Sequence, residues 1–335
     1  MDKKLPIDLI RERGGSASIG TSEDGAIMEM IPLEGRMLII KERSVYEMRL
    51  ADDIDPKREK PNIPPTSQRL IVSLGTESEI FSRTFLTAKR LFKPEYFPAT
   101  IDTTQLLLLT LEVVQELAAL DKEVNDYLNV EKKASDDYED RKSKKLDHAV
   151  PSIPDLKTRC KTIFQKADQA YQAQLSIIRI FYPDFSNKFN YTKFFEFIKN
   201  KYGEQDNFTK FLQEILPFIL LARNIHNCLD HWERTETDLK DFELQLDLSI
   251  ISPTIEINYL ESKLDRVALV QFLPFVIENL VVIYENMIAF MSIKNLKSDR
   301  FMQSQIRFIP KDKRINKHIK FAYWLPLGSE GFYQQ

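Results

Sequence analysis

Glycine is scarce in this chain, with 9 in 335 residues. That disfavours a Gly-rich β protein and suits helices, because glycine is the residue that strained turns call for. Cysteine is scarcer still. Cys160 and Cys228 lie far apart and make no disulfide framework, so a reducing compartment is the simpler reading. A surplus of one charge is also missing: 47 Lys and Arg face 50 Asp and Glu, a net charge of −3. A globally basic nucleic-acid binder is thereby excluded, and any such surface must be local. The N-terminus, MDKKLPIDLIRERGG, lacks an apolar core of signal-peptide length. The most apolar stretch, 267–293, is interrupted by Gln271, Glu278, Asn279, Glu285 and Asn286, which argues against a membrane span. A cytoplasmic protein with no membrane partner is expected.

What is present is apolar material for a substantial core, 43% of the residues, in a chain long enough for about two domains. Residues 26–31, 37–40 and 44–50 are β-prone runs with a turn at Pro32-Leu33-Glu34-Gly35. Asp52, Asp53 and Asp55 follow as an acidic turn, read as solvated in preference to a cation site. Prolines 56, 61, 64 and 65 then mark a connection.

From Thr66 the pattern reads as helical, with one piece ending near Gly75 and another over 77–92. Residues 103–147 read as one long helix. Its first half is apolar nearly all round, and its second half, 131–148, carries six acidic and six basic residues, as a solvated extension or flexible arm would. Helices are expected over 155–181 and 191–202. Alternation over 242–259 signals an inserted β-hairpin. Ser262 with Asp265 resembles a capping box opening a helix to about residue 293, and Pro274 should kink it.

One stretch concentrates groups capable of chemistry. Residues 206–232 run apolar and then turn polar at Arg223, with His226, Cys228 and His231 close behind. Asp206 or Asn207 can cap its start, and Pro217 predicts a kink. On a helix wheel Asn227 and Asp230 fall within about 40° of Arg223, with His226 about 60° to one side and His231 about 80° to the other. If the helix continues to Trp232, these five form one polar face at the end of a buried element. His226 and Cys228 point about 160° apart on a helix, so they make a poor metal pair.

An Arg-Asn dipeptide late in a core helix, here Arg223 and Asn224, followed closely by histidine, resembles the signature of HEPN domains. These are small helical bundles of bacterial defence and toxin proteins. The resemblance covers about 155–295. It implies a metal-independent endoribonuclease without a cofactor, whose site forms where two copies face each other. The candidate catalytic residues are Arg223, Asn224, His226 and His231. Two residues separate Arg223 from His226 and seven separate it from His231, a departure from the family's spacing. His231 ranks above His226 because the family's histidine lies more than one turn downstream. Histidine would serve as base or acid, and Arg223 would stabilise developing phosphorane charge. The structural alternative is a helix end in which Arg223 pairs with Asp230.

The tail adds a basic, aromatic patch. From Lys294 to Lys320, nine Lys and Arg face two Asp, a local +7. Candidate RNA contacts are Arg300, Arg307, Lys311, Lys313, Arg314, Lys317 and Lys320, interleaved with Phe301, Phe308, Phe321, Tyr323 and Trp324.

The fold expected is mainly α, a HEPN-like helical bundle with a small N-terminal β element and an inserted hairpin. Its segments are 1–62, 63–150, 151–295 and 296–335. The function expected is RNA targeting as a homodimer, with a regulatory protein as a further candidate partner. A non-catalytic helical scaffold or sensor, binding a partner or ligand, is the alternative.

Overall fold

Strand alternation and helical periodicity occupy separate segments of this chain. The computed structural model describes residues 5–12, 17–33, 35–144, 149–185, 190–231, 237–297, 305–326 and 331–335. Contacts divide it into two units: Met1–Thr87 with Ile309–Lys320, and Ala88–Phe308 with Phe321–Gln335.

The first unit contains α1 (Pro6–Arg11), β1 (Ile27–Leu33), β2 (Arg36–Lys41), β3 (Val45–Leu50), α2 (Ala51–Ile54), β4 (Thr66–Val72) and α3 (Glu79–Phe81). The strands form an antiparallel sheet in the order β1-β2-β3-β4. The register sets Leu38 opposite Glu47 and Glu47 opposite Arg69. Leu38, Ile39, Ile40, Val45, Val72, Phe81, Phe85, Ile309 and Ile319 are buried. Thr66–Val72, expected as helix, is a strand. Its β-branched Thr66, Ile71 and Val72 suit a pleated surface, and β3 supplies the ladder partner that local periodicity cannot reveal. Gly75 ends no helix. A Cβ there would sit 2.2 Å from the Lys41 carbonyl oxygen, so glycine is what lets the chain run against β2.

The acidic turn is neutralised by arginines. Arg58 binds Asp52 at 2.8 Å and Asp8 at 2.9 Å, and Arg11 reaches Asp52 and Asp55. Asp53 accepts from the Leu50 amide at the start of α2. α3 passes through a π-helical stretch, Ser82–Leu86, into α4 (Thr87–Leu91).

The second unit is built on α5 (Thr103–Ser143), α6 (Leu156–Phe181), α7 (Tyr191–Tyr202), α8 (Asn207–Asp230), then β5 (Thr237–Lys240), β6 (Glu243–Leu244), β7 (Ile250–Ile251), β8 (Thr254–Tyr259), β9 (Ser262–Ala268) and α9 (Leu269–Lys294). β10 (Gln305–Phe308), β11 (Phe321–Leu325) and β12 (Phe332–Gln334) close it. α6 packs on α5, α8 and α9, and α7 packs on α8. Asp102, Asn190 and Asp206 cap α5, α7 and α8 with their side chains. α5 and α9 are long and apolar enough to cross a membrane, although 67% of α9's most apolar window is buried inside the protein.

The distal half of α5 is largely exposed, as a solvated extension would be, but it is not a loose arm. Glu131 and Tyr138 are buried, and the Tyr138 hydroxyl donates to the Leu248 carbonyl at 2.9 Å. In place of one hairpin, β8 pairs with both β5 and β9, and β6 with β7 forms a separate ribbon. Ser262 opens strand β9 instead of capping a helix, and α9 begins at Leu269.

The chain is thus a mixed α and β protein, 53% helix and 20% strand. Four antiparallel sheets lie among the described residues. This corrects the expected mainly α bundle with one small β element and one hairpin. The error came from weighting helical periodicity at Thr66, where β3 across a long connection supplies the strand partner, and a capping pattern at Ser262, which instead opens the second strand of a short hairpin with β8.

Candidate functional site

α8 is apolar along its inner face, where Phe208, Leu212, Ile219, Ala222 and Ile225 are buried. Phe208 stacks on Phe290 with ring centroids 5.3 Å apart and meets Phe194 edge-on. This packing fixes the helix, so the side chains near its end are held rigidly. The helix stops at Asp230. His231 is its C-cap, with extended backbone, and its amide donates to the Asn227 carbonyl. Trp232 lies outside the described residues.

The polar face expected there divides in two. Arg223, Asn224 and Asn227 line a cavity of about 280 Å³ whose other walls are α6 and the start of α7. Asp168, Tyr171 and Gln172 come from α6, and Asn190 and Thr192 from α7. Arg223 is exposed. It has no hydrogen-bond or ion-pair partner among the described residues. Asn224 is buried and donates to the Ser262 hydroxyl at 2.9 Å, a tie between α8 and β9.

Neither His226 nor His231 lines the cavity. They sit about Asp230, which pairs with Lys161 of α6 at 2.7 Å. The hydrogen bond and charge of Lys161, with both histidines adding, hold the Asp230 carboxyl below its usual range. Arg223 therefore does not pair with Asp230. Lys161 meets Asp230 at one end, and Leu175 meets Ile219 in the cavity, so α6 and α8 run antiparallel and bring Asp168 level with Arg223.

The cavity's polar groups have identifiable duties. Asn190 uses its side-chain oxygen to accept from the Lys193 amide as the α7 cap, which leaves its NH₂ for other partners. α7 presents its N-terminal, positive end here. Behind, the Tyr171 hydroxyl is buried with no hydrogen-bond partner among the described residues. Burial, with Tyr191 and Asp168 adding, holds it well above the usual phenol range, so it remains a neutral O–H donor. The Tyr191 hydroxyl donates to the Gln174 side-chain oxygen at 3.0 Å and steadies the α6–α7 corner. Among the described residues, the cavity offers one cation, a helix N-terminus, one carboxylate and several neutral donors and acceptors.

Of these residues, the sequence singled out Arg223, Asn224 and Asn227. It missed Asp168, Tyr171, Gln172, Asn190 and Thr192. Asn190, ahead of an aromatic helix, carried a readable cap signal, and Asp168 and Gln172 share a helical face at i and i+4. Nothing local placed those faces opposite Arg223.

The basic tail is distributed between the units. Arg307, in the second unit, lies over the Trp324 ring at 3.5 Å and bonds Gln305. Lys311, Lys313, Arg314, Lys317 and Lys320 belong to the first unit, where the Arg314 guanidinium donates to the Ile309 and Lys317 carbonyls. Among the interleaved aromatics, Tyr323 is buried and stacks on Tyr96 with centroids 3.8 Å apart. Arg300 and Phe301 lie outside the described residues.

Compared with family models, curated proteins and solved structures, the chain matches none.

Proposed function

We propose that this protein binds RNA or a nucleotide derived from it, with one nucleotide unit seated in the α6–α7–α8 cavity. The observation that carries the reading is Arg223, exposed and unpartnered among the described residues, beside the N-terminus of α7 in the same cavity. A guanidinium and a helix N-terminus together favour a phosphate. Asp168 and Gln172 at the opposite wall suit the amino and carbonyl edges of a base. Binding is favoured over cleavage because, among the described residues, no histidine lines the cavity.

Calorimetry with AMP and with a short single-stranded RNA tests this. Saturable binding is expected, weakened about tenfold or more in Arg223→Ala, the scale of one charge-assisted hydrogen bond. Equal affinity in wild type and Arg223→Ala would reject it.

A second reading is metal-independent RNA cleavage between two copies. It is favoured by the solvent-accessible His226 and His231 beside Asp230 at the end of α8, where a second copy can reach them. It predicts EDTA-resistant cleavage, abolished in His231→Ala, by a protein that dimerises in solution. A strictly monomeric protein, or RNA left intact, defeats it.

A further inference from the structure

The sheet of the first unit carries a second concentration of cationic groups, outside the residues singled out from the sequence. Glu47 on β3 is buried, with only 6% of its side chain exposed. Three guanidiniums converge on it: Arg36 at 2.8 Å, Arg49 at 3.0 Å and Arg69 at 3.4 Å. The register explains the convergence. Arg69 stands directly across from Glu47, and Ser67 directly across from Arg49. Burial pushes the Glu47 carboxyl up, but the hydrogen bonds from Arg36 and Arg49 and the charge of Arg69 outweigh it and keep the group ionised.

One carboxylate therefore faces three cations, and the two that line a cavity with it outnumber it. If neutralising Glu47 were the whole purpose, a single forked arginine would suffice, and the extra like charges would repel. Arg49 and Arg69 remain 47% and 70% exposed. Each gives Glu47 one N–H, and neither has a further partner among the described residues. Both line an open cavity of about 370 Å³ together with Glu47, Ser67, Gln68 and Ile54.

We propose that this cavity is a binding site for a phosphate-bearing small anion, held by the free edges of the Arg49 and Arg69 guanidiniums and the Ser67 hydroxyl. Glu47 acts as the positioning residue: it fixes two flexible arginines in advance, so less side-chain entropy is lost when the anion arrives. Phosphate suits the site better than a carboxylate, because forked donors from two arginines can each engage a pair of its oxygens. Free pyrophosphate and the phosphates of a nucleotide share this chemistry.

The test is calorimetry on the full chain carrying Arg223→Ala, so that the cavity of the second unit does not contribute. The probes are inorganic pyrophosphate and ATP. Saturable binding of at least one probe is expected, weakened about tenfold by Arg69→Gln and further by Arg49→Gln with Arg69→Gln. Lys57→Gln, which removes an exposed cation outside the cavity, should leave affinity unchanged. Tighter binding of ATP identifies a nucleotide site, and binding of pyrophosphate alone identifies a free-phosphate site. Thermal melts should show every variant fully folded at the temperature of the titration, with some loss of stability where Glu47 loses an arginine. Absence of binding by both probes at millimolar concentration, or affinity unaffected by Arg69→Gln, overturns the proposal.

Discussion

Arg223 and Asn224 are neighbours in sequence with opposite duties. Asn224 is buried and ties α8 to the Ser262 hydroxyl, so Asn224→Ala should destabilise the protein by about 1–3 kcal/mol, the usual consequence of stranding a buried partner. Arg223 touches no described partner, and Arg223→Ala should stay within about 0.5 kcal/mol of wild type. Urea unfolding of both variants decides the matter, and a large loss in Arg223→Ala would return that residue to a structural role. Asp24 gives a residue-level pH prediction. The backbone hydrogen bond from Thr21, together with the Tyr46 and Thr21 hydroxyls, outweighs desolvation and holds its carboxyl at about 2, against an ordinary 3.8. The folded state thus binds the proton less readily than the unfolded one. The stabilisation is present above pH 3.8 and is lost as pH falls toward 2. Asp24→Asn should flatten that part of the stability profile, and an unchanged acid limb would contradict the assignment.

At the scale of elements, α5 shows that charge content marks exposure but not the points of packing. Its second half alternates Lys, Asp and Glu, as a solvated helix does, yet every turn or two an inward position is buried: Val124, Tyr127, Glu131, Tyr138. Burial raises the Glu131 carboxyl, while the nearby Tyr127 and Ser252 hydroxyls act the other way. A folded-state pKa above the unfolded one favours folding at acid pH, and the advantage is lost as pH rises through the folded value. Glu131→Gln should therefore gain stability over wild type as pH is raised, with the gap closing in acid. Melting curves across the pH range would show it, and a gap that widens toward acid would refute it. Amide exchange should also be slow through Tyr138, because this half of α5 is packed and its Tyr138 is hydrogen-bonded to Leu248.

For the whole molecule, both cysteines lie in the second unit, fully or nearly buried, at 0% and 2% exposure. Burial, with Glu131 adding, pushes the Cys160 thiol up to about 12. Native protein should give almost no reaction with a thiol reagent at neutral pH, and denatured protein should give two equivalents. The reaction rate should rise with urea in step with loss of the second unit's structure. Rapid labelling of one thiol in native protein would show that α6 or α8 opens locally.

By itself the sequence determined the elements whose hydrogen bonds close locally. α6, α7 and α8 follow from apolar spacing, and α8 also from the cap at Asp206. The early β-prone runs and the polar end of α8 were legible too. What lies opposite each element was decided only by the tertiary structure. β4 became a strand because β3 was there to receive it. The cavity at Arg223 exists because α6 runs antiparallel to α8, and the Glu47 cluster exists because register sets Arg69 across from it. A helix is held by bonds four residues apart, which a linear pattern records. A sheet register or a cavity is held by partners tens of residues away, and one chain's pattern does not record the pairing.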